Sequence, residues 1–461
     1  MPAIGRKAFL AAIALGTGIA AVAEPAHDIA APILPMSDDE QEAPEYPQIL
    51  PMRDRAALID RNLSRRLETI IPQIMRETGI TMWIVAAREY FEDPVIATML
   101  DAESMHARRR TILVFHDPGE GQPVERLTVS RYGMGDLFHP SWDPAQQPDQ
   151  WQALAEIIAD RDPSAVAINT SDRTAFGDGM TYSQYNALMA ALPEAYRQRV
   201  VSGETLSLRW LESRTDDELA IYPGIVRLAH ALIGEAFSRK VINPGETTTN
   251  DVVWWYRQKL AELGLDTWFQ PSVGVQRRGV KGMLEGEVVI EPGDLLWTDF
   301  GITYLRLNTD TQHLAYVLKP DETTAPDGLA KGLAASNRVQ DILRASFKTG
   351  LSGNEVLALA RQQALAEGLN PSIYSHPLGF HGHGAGTAIG FWDNQEGDPR
   401  GNYRIRPDTT WSIELTSLKA VPEWDNQIVD FRTEEDAFFD GSAVRFLDGR
   451  QTELTLIPSQ P

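Results

Sequence analysis

The chain of 461 residues contains no cysteine. Disulfides, thiolate zinc sites, iron–sulfur clusters, a cysteine nucleophile and a lipoprotein anchor are thereby excluded, so any bound metal must be held by nitrogen and oxygen ligands. Positive charge is also scarce: 42 Lys and Arg stand against 64 Asp and Glu, leaving a net charge of −22. Such a surface repels phosphates and anionic headgroups, which argues against nucleic acid or a membrane surface as a partner. Long apolar runs are missing beyond residue 20, and a membrane span needs about 20 apolar residues. What the chain does have is material for a core. Hydrophobic residues make up 43 % of it and tryptophans number eleven, which excludes global disorder. Its length predicts roughly two or three domains.

The first residues read as a targeting signal. Arg6 and Lys7 precede a short alanine-rich apolar run over 8–20, and Ala21-Val22-Ala23 has the small-x-small cleavage form. A signal peptide over 1–23 is expected, placing the mature protein in the periplasm or outside the cell. A Pro- and acid-rich stretch over 24–51 reads as a flexible leader. Apolar periodicity predicts a helix over 53–79. Strands over 81–86, 111–115, 127–130 and 165–169, with a helix over 149–159, describe an α/β domain covering 52–205. Residues 202–217 read as a charged connection into a second domain, 206–461. There, helices over 216–239 and 250–263 precede strands over 288–290 and 295–300. A second helix pair, over 328–349 and 352–367, again precedes strands. This order predicts two similar halves related by pseudo-two-fold symmetry.

Within the second domain, ionisable residues interrupt apolar strands. Asp299 stands alone in Leu295-Leu296-Trp297-Thr298-Asp299-Phe300, and Asp310 follows eleven residues later. A hairpin between them would set the two carboxylates side by side, where they repel unless a cation neutralises them. Glu414 lies in Trp411-Ser412-Ile413-Glu414-Leu415, and Glu434 closes Asp430-Phe431-Arg432-Thr433-Glu434. The one dense histidine cluster holds His376, His381 and His383. Each acid alone is ordinarily a solvated position or an ion-pair partner. Together, four carboxylates and an imidazole suit a pair of hard-to-borderline divalent ions, which lower the pKa of a shared water and clamp a tetrahedral intermediate.

From about Leu211 onward the chain resembles the M24 metallopeptidase superfamily of methionine aminopeptidase, aminopeptidase P, prolidase and creatinase-like proteins. Gly293-Asp294-Leu295-Leu296-Trp297-Thr298-Asp299-Phe300-Gly301 looks like the first-ligand strand of that family, and His376-Pro377-Leu378-Gly379 its His-x-Leu-Gly segment. Arg432-x-Glu434 looks like its closing strand. The resemblance implies a pita-bread α+β catalytic domain behind a creatinase-like α/β N-terminal domain. It implies Asp299, Asp310, His376, Glu414 and Glu434 as metal ligands, with Asp299 and Glu434 bridging two ions (manganese, zinc or cobalt). Glu414 is implied as general base and His383 as donor to the transition state. A peptide substrate, Xaa-Pro aminopeptidase activity and a homodimer are implied as well.

Three positions depart from the family pattern. Leu415 replaces a common proline after Glu414. Glu435 next to Glu434 makes the last ligand ambiguous, although Arg432 favours Glu434. The histidine expected upstream of the first aspartate is absent from 273–281, leaving His313 as a candidate to compensate. A creatinase-like hydrolase of non-peptide C–N bonds and a non-catalytic binding protein are the alternative readings. Retention of all five ligand positions favours the peptidase.

Overall fold

Helix Met52–Thr78 buries a stripe of Leu58, Leu63, Leu67, Ile70, Ile71 and Ile74 and stops at Gly79, whose φ of 69° is the left-handed conformation glycine adopts freely. It belongs to a computed structural model that describes residues 46–459. The expected signal segment 1–23 and leader residues 24–45 lie outside the described residues. Residues 46–51, expected to be flexible, are instead packed. Tyr46, Ile49 and Leu50 lie against the core of the C-terminal half, and the Leu50 N–H donates to the Tyr304 hydroxyl at 2.9 Å. Three apolar side chains here outweigh the polar composition of the stretch.

The N-terminal half is a six-stranded mixed sheet in the spatial order 139–140, 125–128, 111–116, 82–87, 166–168, 200–202. Met52–Thr78 covers one face and Gln150–Arg161 the other. Asp149 starts the latter helix by accepting from the N–H groups of Trp151 and Gln152. The expected connection over 202–217 is corrected by the structure, which contains helix Glu204–Glu212. The 205/206 boundary therefore falls inside a helix. Its Leu206, Leu208, Trp210 and Leu211 are buried with Met52–Thr78 in the N-terminal core, an amphipathic pattern hidden among charged residues.

In the C-terminal half, helices Asp216–Ala236 and Thr249–Leu263 each begin at a reciprocal capping box, Thr215/Glu218 and Thr248/Asp251. They pack on strands Ser272–Gln276, Leu295–Phe300 and Thr311–Val317, with Tyr256 stacked on Phe300 at 4.2 Å. The second pair, Asp327–Ser346 and Gly353–Ala366, covers strands Thr409–Val421 and Gln427–Phe439. Two helix-pair-on-strands halves thus share one ten-stranded sheet. The strand expected over 288–290 is only an isolated bridge between Thr248 and Val289, a segment spent tying down the helix start. Among the described residues, no helix is long and apolar enough to cross a membrane.

Two stability outcomes are expected. Gly→Ala in a helix usually gains about 1 kcal/mol, but a Cβ on Gly332 would overlap the buried ring of Phe431. Gly332→Ala should lower unfolding stability by about 1–3 kcal/mol in urea titration, and a gain would disprove this packing. Glu212 joins the halves, accepting from the Tyr403 hydroxyl at 2.8 Å. Burial pushes its carboxyl up to about 7 from 4.5, so the fold favours the neutral acid and loses stability as pH rises through that window. Relative to Glu212→Gln, the native chain should lose on the order of 3 kcal/mol across this window and nothing more above it. A flat difference by calorimetry would count against that burial.

Candidate metal centre

Strand register places the ionisable residues. Leu295–Phe300 pairs antiparallel with Thr311–Val317 so that Asp299 faces Gln312, and Gln312 in turn faces Glu434. In the long hairpin of Thr409–Val421 and Gln427–Phe439, Glu414 stands opposite Glu434. His376, on strand His376–Leu378, stands opposite Ser412. The hairpin Thr303–Tyr304/Leu307–Asn308 folds the chain back and delivers Asp310 beside Asp299. Leu305 and Arg306 make the turn with φ of 54° and 66°. Arg306 is held by the carbonyls of Leu100 and Asp101 in the N-terminal half, at 2.6 and 3.1 Å.

The result is one cluster. Potential ligand atoms of Asp299, Asp310 and Glu434 lie within 4.8 Å of one another, as do those of His376, Glu414 and Glu434. Glu434 is shared by both groups. His376 Nε2 is 3.5 Å from Asp310 Oδ2 and 3.8 Å from both Glu414 Oε2 and Glu434 Oε1. Asp299 Oδ1, His376 Nε2 and Glu434 Oε2 are buried without a hydrogen-bond partner, and leaving such groups unsatisfied is costly. Inward-facing oxygens and a free imidazole nitrogen fit hard-to-borderline divalent ions.

Electrostatics agree with that fit. Burial pushes Asp299 up to about 7. Asp310, Glu414 and Glu434 are raised well above the carboxylate range, first by burial and then by one another's charge. Burial lowers His376 to about 3, keeping its imidazole neutral and able to ligate. This is a site built for positive charge.

Comparison with known proteins gives the same answer. Residues 224–448 match the model of metallopeptidase family M24. The C-terminal half belongs to that family. The X-Pro aminopeptidase of Thermotoga maritima superposes with a TM-score of 0.59 at 14 % identity, covering 83 % of this chain and 99 % of that one. An Xaa-Pro dipeptidase from Bacillus anthracis gives 0.54 at 17 %, covering 88 % and 100 %. The prolidase of Pyrococcus horikoshii gives 0.51 at 14 %, covering 85 % and 99 %. At these identities the likeness is one of fold: an α/β N-terminal domain followed by the M24 pita-bread domain. No curated protein matches the chain.

Several side chains around the M24 centre escaped the sequence reading. Gln312 Nε2 donates to Glu414 Oε1 at 2.7 Å while its Oε1 accepts from Trp297 Nε1 at 2.9 Å. The Ser412 hydroxyl donates to Glu434. Asp436 accepts from the Asp310 N–H at 3.1 Å. Asp436 lies two residues beyond Glu434 on the same strand face, and Gln312 lies opposite both Asp299 and Glu434 in the strand register, so alternation was the available signal. Trp268 and Tyr374 had none. Trp268 donates to the Thr309 carbonyl at 2.9 Å, and its ring lies 5.0 Å from that of His383. Tyr374 packs between His376, His383 and Trp392.

The histidine segment is anchored from the N-terminal half. The Phe380 ring lies between the guanidinium groups of Arg66 and Arg214, at 4.7 and 4.8 Å. Both arginines pair with buried Glu218. His381 packs on Phe176 at 5.1 Å. His383 is exposed and sits 4.7 Å from the ring of His376.

Two expectations need correction or resolution. His313 does not reach the M24 centre. It points to the opposite sheet face, 3.0 Å from Glu435, because it follows Gln312 on a strand. Glu435 likewise faces away, and the imidazoles of His313 and His230 offset its burial and hold it down at about 2. Glu434 is the one of the two that reaches the cluster. The segment lacking the expected histidine is spent on other ties, Arg277 on Asp294 and Arg278 on Asp425.

Adding manganese, zinc or cobalt to chelator-treated protein should therefore raise its Tm. Stabilisation of about 2.7 kcal/mol is expected at a hundred-fold excess over Kd, diminished in Asp299→Ala. A melting curve indifferent to all three metals would refute the site.

Proposed function

We propose that this metallopeptidase removes the N-terminal residue of Xaa-Pro or related peptides, using two divalent ions held by Asp299, Asp310, His376, Glu414 and Glu434. The observation behind this reading is the set of three inward-facing, unpartnered polar atoms on Asp299, His376 and Glu434. When bound, such ions supply Lewis-acid polarisation of the scissile carbonyl and activation of water.

The side chains divide the remaining work. Glu414 takes the proton of the attacking water and returns it to the leaving nitrogen, as base and then acid. Gln312 fixes one Glu414 oxygen by its hydrogen bond at 2.7 Å, so the other is presented toward His376. His383 is exposed beside His376 and donates to the charge that develops on the substrate oxygen. Its ring is set by Trp268 and Tyr374, and the same aromatic surfaces, with Trp392, exclude water around an apolar substrate group. An extracytoplasmic location, expected from 1–23, suits salvage of proline-containing peptides.

Chelator-stripped and metal-reloaded protein should release the N-terminal residue of Xaa-Pro dipeptides and tripeptides only when loaded. Glu414→Ala should lower kcat by at least about 10²-fold, and His383→Ala by roughly 10²–10³-fold with a smaller change in KM. Full activity without metal would promote the creatinase-like chemistry. Stoichiometric metal with no turnover on the whole series would overturn the peptidase.

A further inference from the structure

Back to back with the M24 centre lies a second cluster that the proposed reaction does not use. On strand Gln427–Phe439, Glu434 faces the centre and Glu435 faces away; on Thr311–Val317, Gln312 and His313 divide in the same manner. Helix Asp216–Ala236 brings His230 to the outward pair. His313 Nε2 is 3.0 Å from Glu435 Oε1, and His230 Nε2 is 3.1 Å from Glu435 Oε2. The two rings lie 5.0 Å apart, and the ligand-capable atoms of all three residues fall within 4.8 Å of one another. Glu435 is 2 % exposed, His313 12 % and His230 17 %.

Hydrogen bonds fix the positions of these three side chains. His230 Nδ1 faces Asp448 Oδ2 at 3.2 Å, and Asp448 is itself engaged by Arg227 at 2.9 Å. Against burial, hydrogen bonds to Asp448 and Glu435 raise His230 to about 10, so the ring carries a proton on each nitrogen between two carboxylates, and a divalent ion would enter by replacing the Nε2 proton. Ligand atoms held at about 2.0–2.2 Å from a tetrahedral zinc-like ion stand about 3.3–3.6 Å apart, so each imidazole would move a few tenths of an ångström from its 3.0–3.1 Å contact with Glu435 to take one up. A carboxylate fixing the far nitrogen of the ring is also the arrangement found behind metal-ligating histidines, and Asp448 occupies that position.

We propose that His230, His313 and Glu435 form a further divalent-cation site, separate from the M24 centre, with Asp448 orienting His230. Two imidazoles and one carboxylate select zinc- or cobalt-like ions over magnesium or calcium. The site clamps helix Asp216–Ala236 onto the two strands whose inward faces supply Gln312 and Glu434, so its role is structural.

The test counts cobalt. Protein is stripped with chelator, reloaded with Co(II), freed of excess and analysed by atomic absorption as wild type, Asp299→Ala, His230→Gln and His313→Gln. Both histidine variants should hold one equivalent less than wild type. Asp299→Ala should keep that equivalent, with a visible cobalt absorption that disappears when His230→Gln is added. Because the cobalt lost on adding His230→Gln to the Asp299→Ala background reports on this site, a failure of the M24 centre to hold metal would not be mistaken for a failure here. Equal cobalt in wild type and in both histidine variants would overturn the site. So would ¹⁵N spectra of zinc-loaded wild type with protons on both His230 nitrogens, a measurement that needs no variant to fold; the cation between the groups would then be a proton.

Discussion

Four carboxylates and an imidazole are buried within a few ångströms of one another, and this arrangement governs the rest of the structure. In a low-dielectric interior such groups repel unless they take up protons or share a cation. Their placement also demands backbone accuracy, because a one-residue slip of any strand would turn its ligand to the opposite face. The thirteen-residue strands Thr409–Val421 and Gln427–Phe439, paired along their whole length, make such a slip expensive. The helix pairs on each half bury the outer side of the same sheet and lock the register from behind.

The N-terminal half takes part in that accuracy. Arg66, from its first helix, and Arg214, from the junction between the halves, enclose Phe380 in the segment joining His376 to His383. Two fully buried guanidinium groups share one carboxylate, Glu218, and cap the carbonyl end of helix Glu204–Glu212 through Trp210 and Leu211. Arg306 reaches across in the other direction to carbonyls at Leu100 and Asp101. The two histidine positions and the aspartate hairpin are thus both tied to the N-terminal half, and motion of that half relative to the M24 domain would be felt at the centre.

Alternation along strands gives the sheet two chemical faces. Neighbouring residues, Glu434 with Glu435 and Gln312 with His313, serve separate clusters because a strand presents successive side chains to opposite sides. Density of charge in sequence is therefore a poor guide to proximity here. Glu434 and Glu435 adjoin in the chain and act on different faces, whereas Asp299, His376 and Glu434 are far apart in the chain and converge.

Much of the fold was legible in the sequence because local rules produce it. Apolar periodicity located the long helices, Thr215, Thr248 and Ser352 mark where three of them begin, and Gly79 marks where the first one ends. Lone acids in apolar strands marked Asp299 and Glu414, since a charge inside a buried strand needs a reason, whereas Glu434, beside Glu435, was marked by the Arg432-x-Glu434 pattern. Helix Glu204–Glu212 was hidden because its apolar face is interleaved with charge, and the packing of 46–51 because it depends on a distant surface. What only the tertiary structure decided is which ionisable groups meet. Strand pairing across more than a hundred residues sets Gln312 against Glu414, sends His313 to the far side with His230, and brings Trp268 to His383. Those contacts depend on pairing register and on the return paths of loops, neither of which is written in the spacing of residues along the chain.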